Sequence, residues 1–116
     1  LVNLMDAKEK VSTNEAMQFD IAAMRGHADQ ACRMMKTLAN RDRLMLLCQL
    51  SQGEKRVGEL EEVTNIQQPT LSQQLAVLRE EGVVSTRRDG KHIHYKISSP
   101  IAMSVMELLY ASYCGK

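Results

Sequence analysis

Residues 57–97 carry the sequence pattern that most constrains the fold of this chain. Apolar residues recur with helical spacing over 57–64 and again over 69–81, and two β-rich stretches then flank Asp89-Gly90. Asp-Gly between alternating apolar residues is the strongest short-range signal for a β-hairpin. Two short helices with a hairpin directly behind them are typical of a helix-turn-helix with a two-stranded wing. We therefore predict a mainly α-helical winged helix-turn-helix fold with a β-hairpin wing.

The remaining helices can be predicted from the spacing of apolar residues and from capping residues. Apolar residues at intervals of three and four over 14–38 predict one long amphipathic helix, only mildly interrupted by Gly26. Asn40 is a suitable N-cap for the next helix, which ends near Gly53. Pro100 opens a final helix, since proline is tolerated in a first turn. The predicted order is α-α-α-α-β-β-α.

The length of 116 residues indicates one domain. We predict a disordered tail at 1–12, which is polar and mixed, and a winged-helix DNA-binding and dimerisation domain over 13–116. A fold of this size buries a modest core, so pairing of two copies would add stability. No stretch resembles a signal peptide or approaches transmembrane length, which predicts a cytoplasmic protein whose three cysteines are reduced.

The helix that follows Pro69 has the side chains expected of a helix that reads DNA. Leu71, Leu75 and Leu78 form an apolar stripe for the core, and the other faces are polar or small. The N-terminal end of such a helix meets base edges, where Gln can pair with adenine and Ser or Thr can bond or touch a thymine methyl. The same residues would also suit an ordinary solvated helix, but the hairpin behind them favours DNA reading. The predicted base-contacting residues are Gln68, Thr70, Ser72 and Gln73.

The net charge of +1 is a weak indication of nucleic-acid binding, but positive charge is clustered at the predicted wing. Arg87, Arg88 and Lys91 surround the turn, and His92 is next to them. The tip of a wing lies over the adjacent minor groove and backbone, so we predict that these four residues contact phosphates.

Alternation along the second strand of the hairpin predicts one packed face and one wet face. The packed residues would be Ile93, Tyr95 and Ile97, and the wet ones His92, His94 and Lys96. We predict no metal site at His92 and His94, because no Cys is near them in the sequence and Asp89 is the one acidic residue close by.

Four motifs, taken together, resemble the ArsR/SmtB family of dimeric winged-helix repressors over residues 34–114. They are Leu38-Ala-Asn-X-X-Arg43-Leu, Val57-Gly-Glu-Leu60, Pro69-Thr-Leu-Ser-Gln-Gln-Leu75 and Leu78-Arg-X-X-Gly82. The resemblance implies a homodimer that represses by binding an inverted repeat in double-stranded DNA and loses affinity when an inducer occupies a second site. It also implies that the first and last helices, with the helix preceding the helix-turn-helix, build the dimer. One departure is Gln74, where many members have His, and this puts the operator sequence in doubt.

Comparison with the family's metal sensors predicts no metal and no cofactor here. Arsenic sensors carry Cys-X-Cys at the start of the first helix of the helix-turn-helix, where this chain has Arg56-Val-Gly-Glu-Leu60. Zinc sensors place His and acidic ligands along the last helix, where this chain offers only Glu107 and cannot complete a tetrahedral site. A metal sensor with another ligand set stays an alternative.

Cys48 and Cys114 resemble the thiol pair of the dithiol subgroup that senses sulfide-derived persulfides (BigR, SqrR and HlyU-like proteins). The resemblance implies that persulfide or polysulfide reacts with these two thiols, links the second and last helices and lowers affinity for DNA. General sensing of peroxide or disulfides by the same thiols stays an alternative. Cys32 has no counterpart in the pair, and we interpret it as a packing residue or an incidental thiol.

Two other classes of protein are alternatives to a sensing regulator. A thiol oxidoreductase is disfavoured because the chain has no Cys-X-X-Cys and no signal of a substrate cleft, so we predict no enzymatic activity. An architectural DNA-binding protein without an inducer has the same sequence features as a sensor. Substitution of Cys48 would distinguish the two.

Overall fold

The computed structural model describes residues 18–115, which form six helices and three strands. In chain order the elements are α1 (Ile21–Arg25), α2 (Ala28–Leu38), α3 (Arg41–Leu50), β1 (Lys55–Arg56), α4 (Val57–Thr64), α5 (Thr70–Glu80), β2 (Val84–Asp89), β3 (His92–Ile97) and α6 (Pro100–Tyr113). The predicted tail at 1–12 lies outside the described residues. The chain divides into two units, 1–32 and 33–116.

The prediction of one continuous helix over 14–38 is wrong within the described residues. Helix α1 starts where the Asp20 carboxylate accepts a hydrogen bond from the Ala22 N–H at 3.0 Å, and it ends at Gly26. The His27 N–H then bonds the carbonyl of Met24, three residues back, before α2 begins at Ala28. Glycine lowers helix stability by about 1 kcal/mol relative to alanine, so Gly26 is where the chain most easily adopts this tighter turn.

The core of the second unit is made by the end of α2, apolar faces of α3 to α6, Ile66 between α4 and α5, and the start of the wing. The predicted stripe of three leucines on α5 is confirmed, since each is buried. The buried hydrophobic residues are Leu38, Leu46, Leu47, Leu50, Leu60, Ile66, Leu71, Leu75, Leu78, Val83, Val84, Ala102 and Met106. Helix α5 is therefore held by one face, and Ser72 and Gln73 on its other side are exposed.

The predicted hairpin is confirmed, and it belongs to a three-stranded antiparallel sheet in the order β1-β3-β2. Strands β2 and β3 pair from Val84↔Ile97 to Asp89↔His92, and the turn contains Gly90 with a φ of +64°. Such a φ is readily adopted by glycine, which is why the Asp-Gly pair turns here. Strand β1 was not predicted, because two residues are too short to show a periodic pattern.

The predicted alternation of packed and exposed residues along β3 is only partly observed. Tyr95 and Ile97 pack against the core, but Ile93 is 36% exposed, so the prediction that Ile93 is packed is wrong. His94 is half-buried rather than fully wet. Ile93 pairs with exposed Arg88 near the tip of the hairpin, beyond the reach of the core.

Candidate nucleic-acid interface and cysteine groove

The first turn of α5 brings the predicted base-contacting residues together. Gln68, Ser72 and Gln73 are exposed, and Thr70 is half-buried. The side-chain oxygen of Gln68 accepts a hydrogen bond from the backbone N–H of Ser72 at 3.1 Å. This satisfies one of the N–H groups that a helix start leaves without a partner inside the helix. Gln68 is therefore partly used to cap the helix, whereas Ser72 and Gln73 present their side chains outward.

A shallow groove of about 480 Å³ runs beside α5. It is lined by Val57 of α4, Ser72 and Ala76 of α5, and Tyr95 of β3. Ala76 contributes only a methyl group to this surface, so a base edge or a sugar can approach the helix closely at this position. The groove widens the surface predicted from Ser72 and Gln73 to include Tyr95, for which the sequence predicts packing alone.

The tip of the wing is exposed and basic, as predicted for phosphate contacts. Arg87, Arg88, Lys91 and His92 are all exposed. Arg87, however, donates from Nε to both carboxylate oxygens of Glu54, at 2.9 and 3.1 Å. Part of its positive charge is therefore already paired within the protein.

The segment just before α4 lies against the wing, a contact that was not predicted from the sequence. Nη1 of Arg56 is 3.4 Å from Nδ1 of His92, and the backbone N–H of Arg56 donates to Glu59 at 2.8 Å. Strand β1, which contains Lys55 and Arg56, pairs with β3 and so adds two cations beside the wing. The adjacent Lys55-Arg56 pair in the sequence was the available signal for this basic extension.

All three cysteines are free thiols in different surroundings. Cys48 on α3 is half-buried, Cys114 at the end of α6 is exposed, and Cys32 on α2 is exposed. Cys48 lines a groove of about 320 Å³ between α3 and α6, with Tyr110 and Ala111 of α6 on the opposite side. The backbone N–H of Cys114 bonds the Tyr110 carbonyl at 2.8 Å, so Cys114 follows Tyr110 by one helical turn. The α6 side of the Cys48 groove thus ends close to the second predicted sensing thiol.

Metal-ligating side chains do not cluster in the part of the chain that the structure describes. Among residues 18–115, no group of three or more His, Cys, Asp or Glu side chains could hold a metal ion. Over the same residues, no helix is both long enough and apolar enough to cross a bilayer.

Comparisons with known proteins agree with the helix-turn-helix and wing described above. Residues 40–86 match the family model described as bacterial regulatory protein, arsR family. A biofilm growth-associated repressor from Agrobacterium fabrum is 50% identical over 98 residues, which are 84% of either chain. The chain belongs to the ArsR family of bacterial regulatory proteins.

Two solved ArsR-family structures support the predicted subgroup. The crystal structure of the transcriptional repressor BigR from Xylella fastidiosa matches with a TM-score of 0.78 and 44% identity, covering 84% of this chain and 100% of that one. Reduced HlyU from Vibrio cholerae matches with a TM-score of 0.76 and 38% identity, covering 79% and 97% of the two chains. The predicted resemblance to BigR and HlyU is thereby confirmed, and this ArsR-family chain is a DNA-binding transcriptional regulator.

A bidentate ion pair stabilises the C-terminal end of α5 in this regulator. Arg33 on α2 donates to the two carboxylate oxygens of Glu81 at 2.7 and 3.1 Å. The hydrogen bond from Arg33 is the main cause that lowers the pKa of Glu81 below its ordinary value of 4.5, and attraction to the guanidinium adds to it. Because the folded-state pKa is depressed, the pair stabilises the fold above the ordinary pKa, and this stabilisation is lost as the pH falls through the folded-state value.

We expect the Glu81→Gln variant to melt at a slightly lower temperature than the wild type at pH 7. The difference should shrink as the pH falls from about 4.5, the ordinary glutamate pKa, through the lower folded-state pKa of Glu81, because the carboxylate is then protonated. Only a small effect is expected, because solvent screens a pair at the surface. Thermal melts from pH 7 to pH 3 measure it, with Glu80→Gln as a charge-matched control on the same helix. If the melting temperatures of the wild type and Glu81→Gln differ equally at pH 3 and pH 7, the effect comes from packing rather than from the ion pair.

Proposed function

We propose that this protein is a homodimeric transcriptional repressor that binds an inverted-repeat operator, and that reaction of Cys48 and Cys114 with persulfide or polysulfide lowers its affinity for that operator. The observation that carries the sulfur-sensing part is the groove in which Cys48 faces α6 one turn before Cys114. A covalent link at this place would join α3 to α6. The relatives described as repressors support the direction of regulation.

The DNA-binding part is supported by two surfaces that suit different kinds of contact with DNA. Ser72 and Gln73 present polar groups on a rigid helix that is anchored by buried leucines, which suits contacts to base edges. Arg88 and Lys91 are exposed at the end of the wing, which suits contacts to phosphates. Arg56 and Lys55 would extend the phosphate-binding surface to the start of α4.

Homodimerisation is supported by the apolar side chains that α6 leaves exposed. Ile101, Leu108 and Tyr113 are 62%, 64% and 84% exposed on this helix. Large apolar side chains exposed along one helix commonly mark an interaction surface. A two-fold dimer would carry two identical copies of α5, which requires an operator made of two half-sites in inverted orientation.

The proposed chemistry converts two thiols into one covalent bridge. The Cys48 thiolate attacks the outer sulfur of an organic persulfide RSSH, which gives Cys48–S–SH and releases RSH. Attack by the Cys114 thiolate on the Cys48 sulfur then closes a disulfide and releases hydrogen sulfide. If both cysteines first become persulfides, attack of one on the other closes a trisulfide and also releases hydrogen sulfide. In each route the two protein thiols are oxidised and one sulfane sulfur of the inducer is reduced to hydrogen sulfide, while in the second route the other sulfane sulfur stays in the trisulfide.

One experiment tests this function against its alternatives. A duplex is first selected from a randomised library by the reduced protein, and its affinity is then measured after separate exposure to inorganic polysulfide, glutathione disulfide, hydrogen peroxide, Zn²⁺ and arsenite. We expect only polysulfide to lower the affinity strongly, with an intact mass that corresponds to a bridge within one protomer. An equal response to peroxide or glutathione disulfide would indicate general redox sensing. A response to metal that is lost on Cys48→Ser would indicate a metal sensor, and no response at all would indicate an architectural DNA-binding protein.

A further inference from the structure

The guanidinium of Arg43 joins three elements of the second unit. It donates from Nε to the Thr37 carbonyl at 2.6 Å and from Nη2 to the Lys36 carbonyl at 3.3 Å, both at the end of α2. From Nη1 it donates to the side-chain oxygen of Gln74 on α5 at 2.7 Å. Arg43 itself lies in the first turn of α3, where its backbone N–H bonds the side chain of Asn40. One cation therefore connects α2, α3 and α5.

Gln74 is placed differently from its neighbours on α5. Gln73 is exposed and Leu75 is buried, whereas Gln74 is half-buried at the boundary between them. Its amide oxygen is directed at Arg43 rather than away from the protein. A glutamine whose amide oxygen is turned toward Arg43 is not oriented for the paired acceptor and donor contact with adenine.

We propose that Arg43 and Gln74 are positioning residues that set the rotation of α5 about its own axis. This inference rests on the proposed reading of DNA by α5. Ser72 and Gln73 face a base edge only if α5 is rotated correctly, and Gln74 directly follows Gln73. Sequence specificity therefore depends on a side chain that does not contact DNA.

The physical basis is the directionality of a hydrogen bond compared with apolar packing. The buried leucines hold α5 to the core, but the hydrophobic effect that buries them has no preferred direction. A hydrogen bond with a charged donor is short and directional, and the Arg43 donor is itself held by two carbonyls at the end of α2. Small errors in the direction of a reading side chain remove a bidentate base contact, because that contact needs two bonds at once.

The test compares Gln74→Met, which keeps the length and removes the acceptor, with Gln74→Glu, which keeps an acceptor for Arg43. The probes are the duplex selected by the wild type and a scrambled duplex of the same composition. We expect Gln74→Met to lower affinity for the selected duplex by about tenfold, as for loss of one good base contact, and to leave affinity for the scrambled duplex unchanged. Gln74→Glu should keep the ratio of the two affinities, although its added charge weakens binding to both probes.

A double-mutant cycle with Arg43→Lys checks that the two residues act together. Lysine keeps a cation at the end of α2 and loses the planar fork, so Arg43→Lys should lower the affinity ratio and Gln74→Met should lower it no further. Melting temperatures are measured for every variant, because Arg43 also binds two backbone carbonyls. The inference would be overturned if Gln74→Met keeps the wild-type ratio of affinities for the selected and scrambled duplexes. It would also be overturned if this ratio falls as far in Gln74→Glu as in Gln74→Met. If the wild type selects no preferred duplex, the proposed function fails and this inference fails with it.

Discussion

Proteins with Cys48→Ser or Cys114→Ser should bind the selected duplex as the wild type does and should fail to release it when polysulfide is added. Each substitution removes one end of the proposed bridge, so α3 and α6 cannot be linked within a protomer. Serine is close to cysteine in size, and Cys48 is half-buried at the edge of a groove, so the fold should tolerate the change. In the wild type the coupling need only be of ordinary allosteric size, roughly 1–3 kcal/mol, to lower affinity between about 5-fold and 150-fold.

Measurement of DNA affinity with and without polysulfide, together with intact mass, checks this prediction. The wild type should show an intramolecular bridge with the loss of two hydrogens and zero or more added sulfur atoms, and neither variant should show it. Cys32→Ser is the matched control, since it removes an exposed thiol outside the Cys48 groove and should leave both repression and release intact. A Cys114→Ser protein that still releases DNA, with Cys32 linked to Cys48, would mean that we have paired the wrong thiols.

Substitutions on α5 and on the wing should weaken DNA binding in two different ways. Gln73→Ala or Ser72→Ala should lower sequence preference, since a good base contact discriminates by about 1–3 kcal/mol. Arg88→Ala should weaken binding to every duplex alike and lower the slope of log affinity against log salt by about one, as for one lost phosphate contact. Arg87→Ala should have a smaller effect than Arg88→Ala, because Glu54 already pairs with the Arg87 guanidinium.

Affinities for the selected and scrambled duplexes across a range of salt concentrations separate these outcomes. The α5 variants should lower the ratio of affinity for the selected duplex to affinity for the scrambled duplex. The wing variants should keep that ratio while both affinities fall. Lys96→Ala on β3, which removes an exposed cation away from the turn, serves as a control for net charge. A change of base preference in Arg88→Ala, with none in Gln73→Ala, would contradict the assignment of α5 as the reading helix.

Elements with a strong local signal were predicted correctly from the sequence. The Asp89-Gly90 turn placed the hairpin, and the predicted second strand agrees with β3 from His92 to Ile97. The leucine stripe at 71, 75 and 78 gave the buried face of α5. The long N-terminal helix was predicted wrongly because its apolar spacing continues through Gly26, although the backbone turns there.

Contacts between residues far apart in the sequence could not be predicted in this way. Arg87 meets Glu54 across 33 positions, and Arg43 meets Gln74 across 31. Nothing in the local sequence indicates such pairs, because charged residues are common on every surface helix and most of them face water. These contacts change the interpretation of residues that were already candidates: Arg87 becomes partly neutralised, and Gln74 becomes an internal acceptor.

The sequence by itself determined the winged helix-turn-helix, the polar start of α5 and the basic tip of the wing, because periodicity, capping and turn chemistry act over a few neighbouring residues. Only the tertiary structure determined which of these side chains already bond other residues of the protein. It also determined that Cys48 lines a groove whose other side is α6. The physical reason is that helix packing brings together residues that are distant along the chain, and this packing depends on the shape of the whole core rather than on any local pattern.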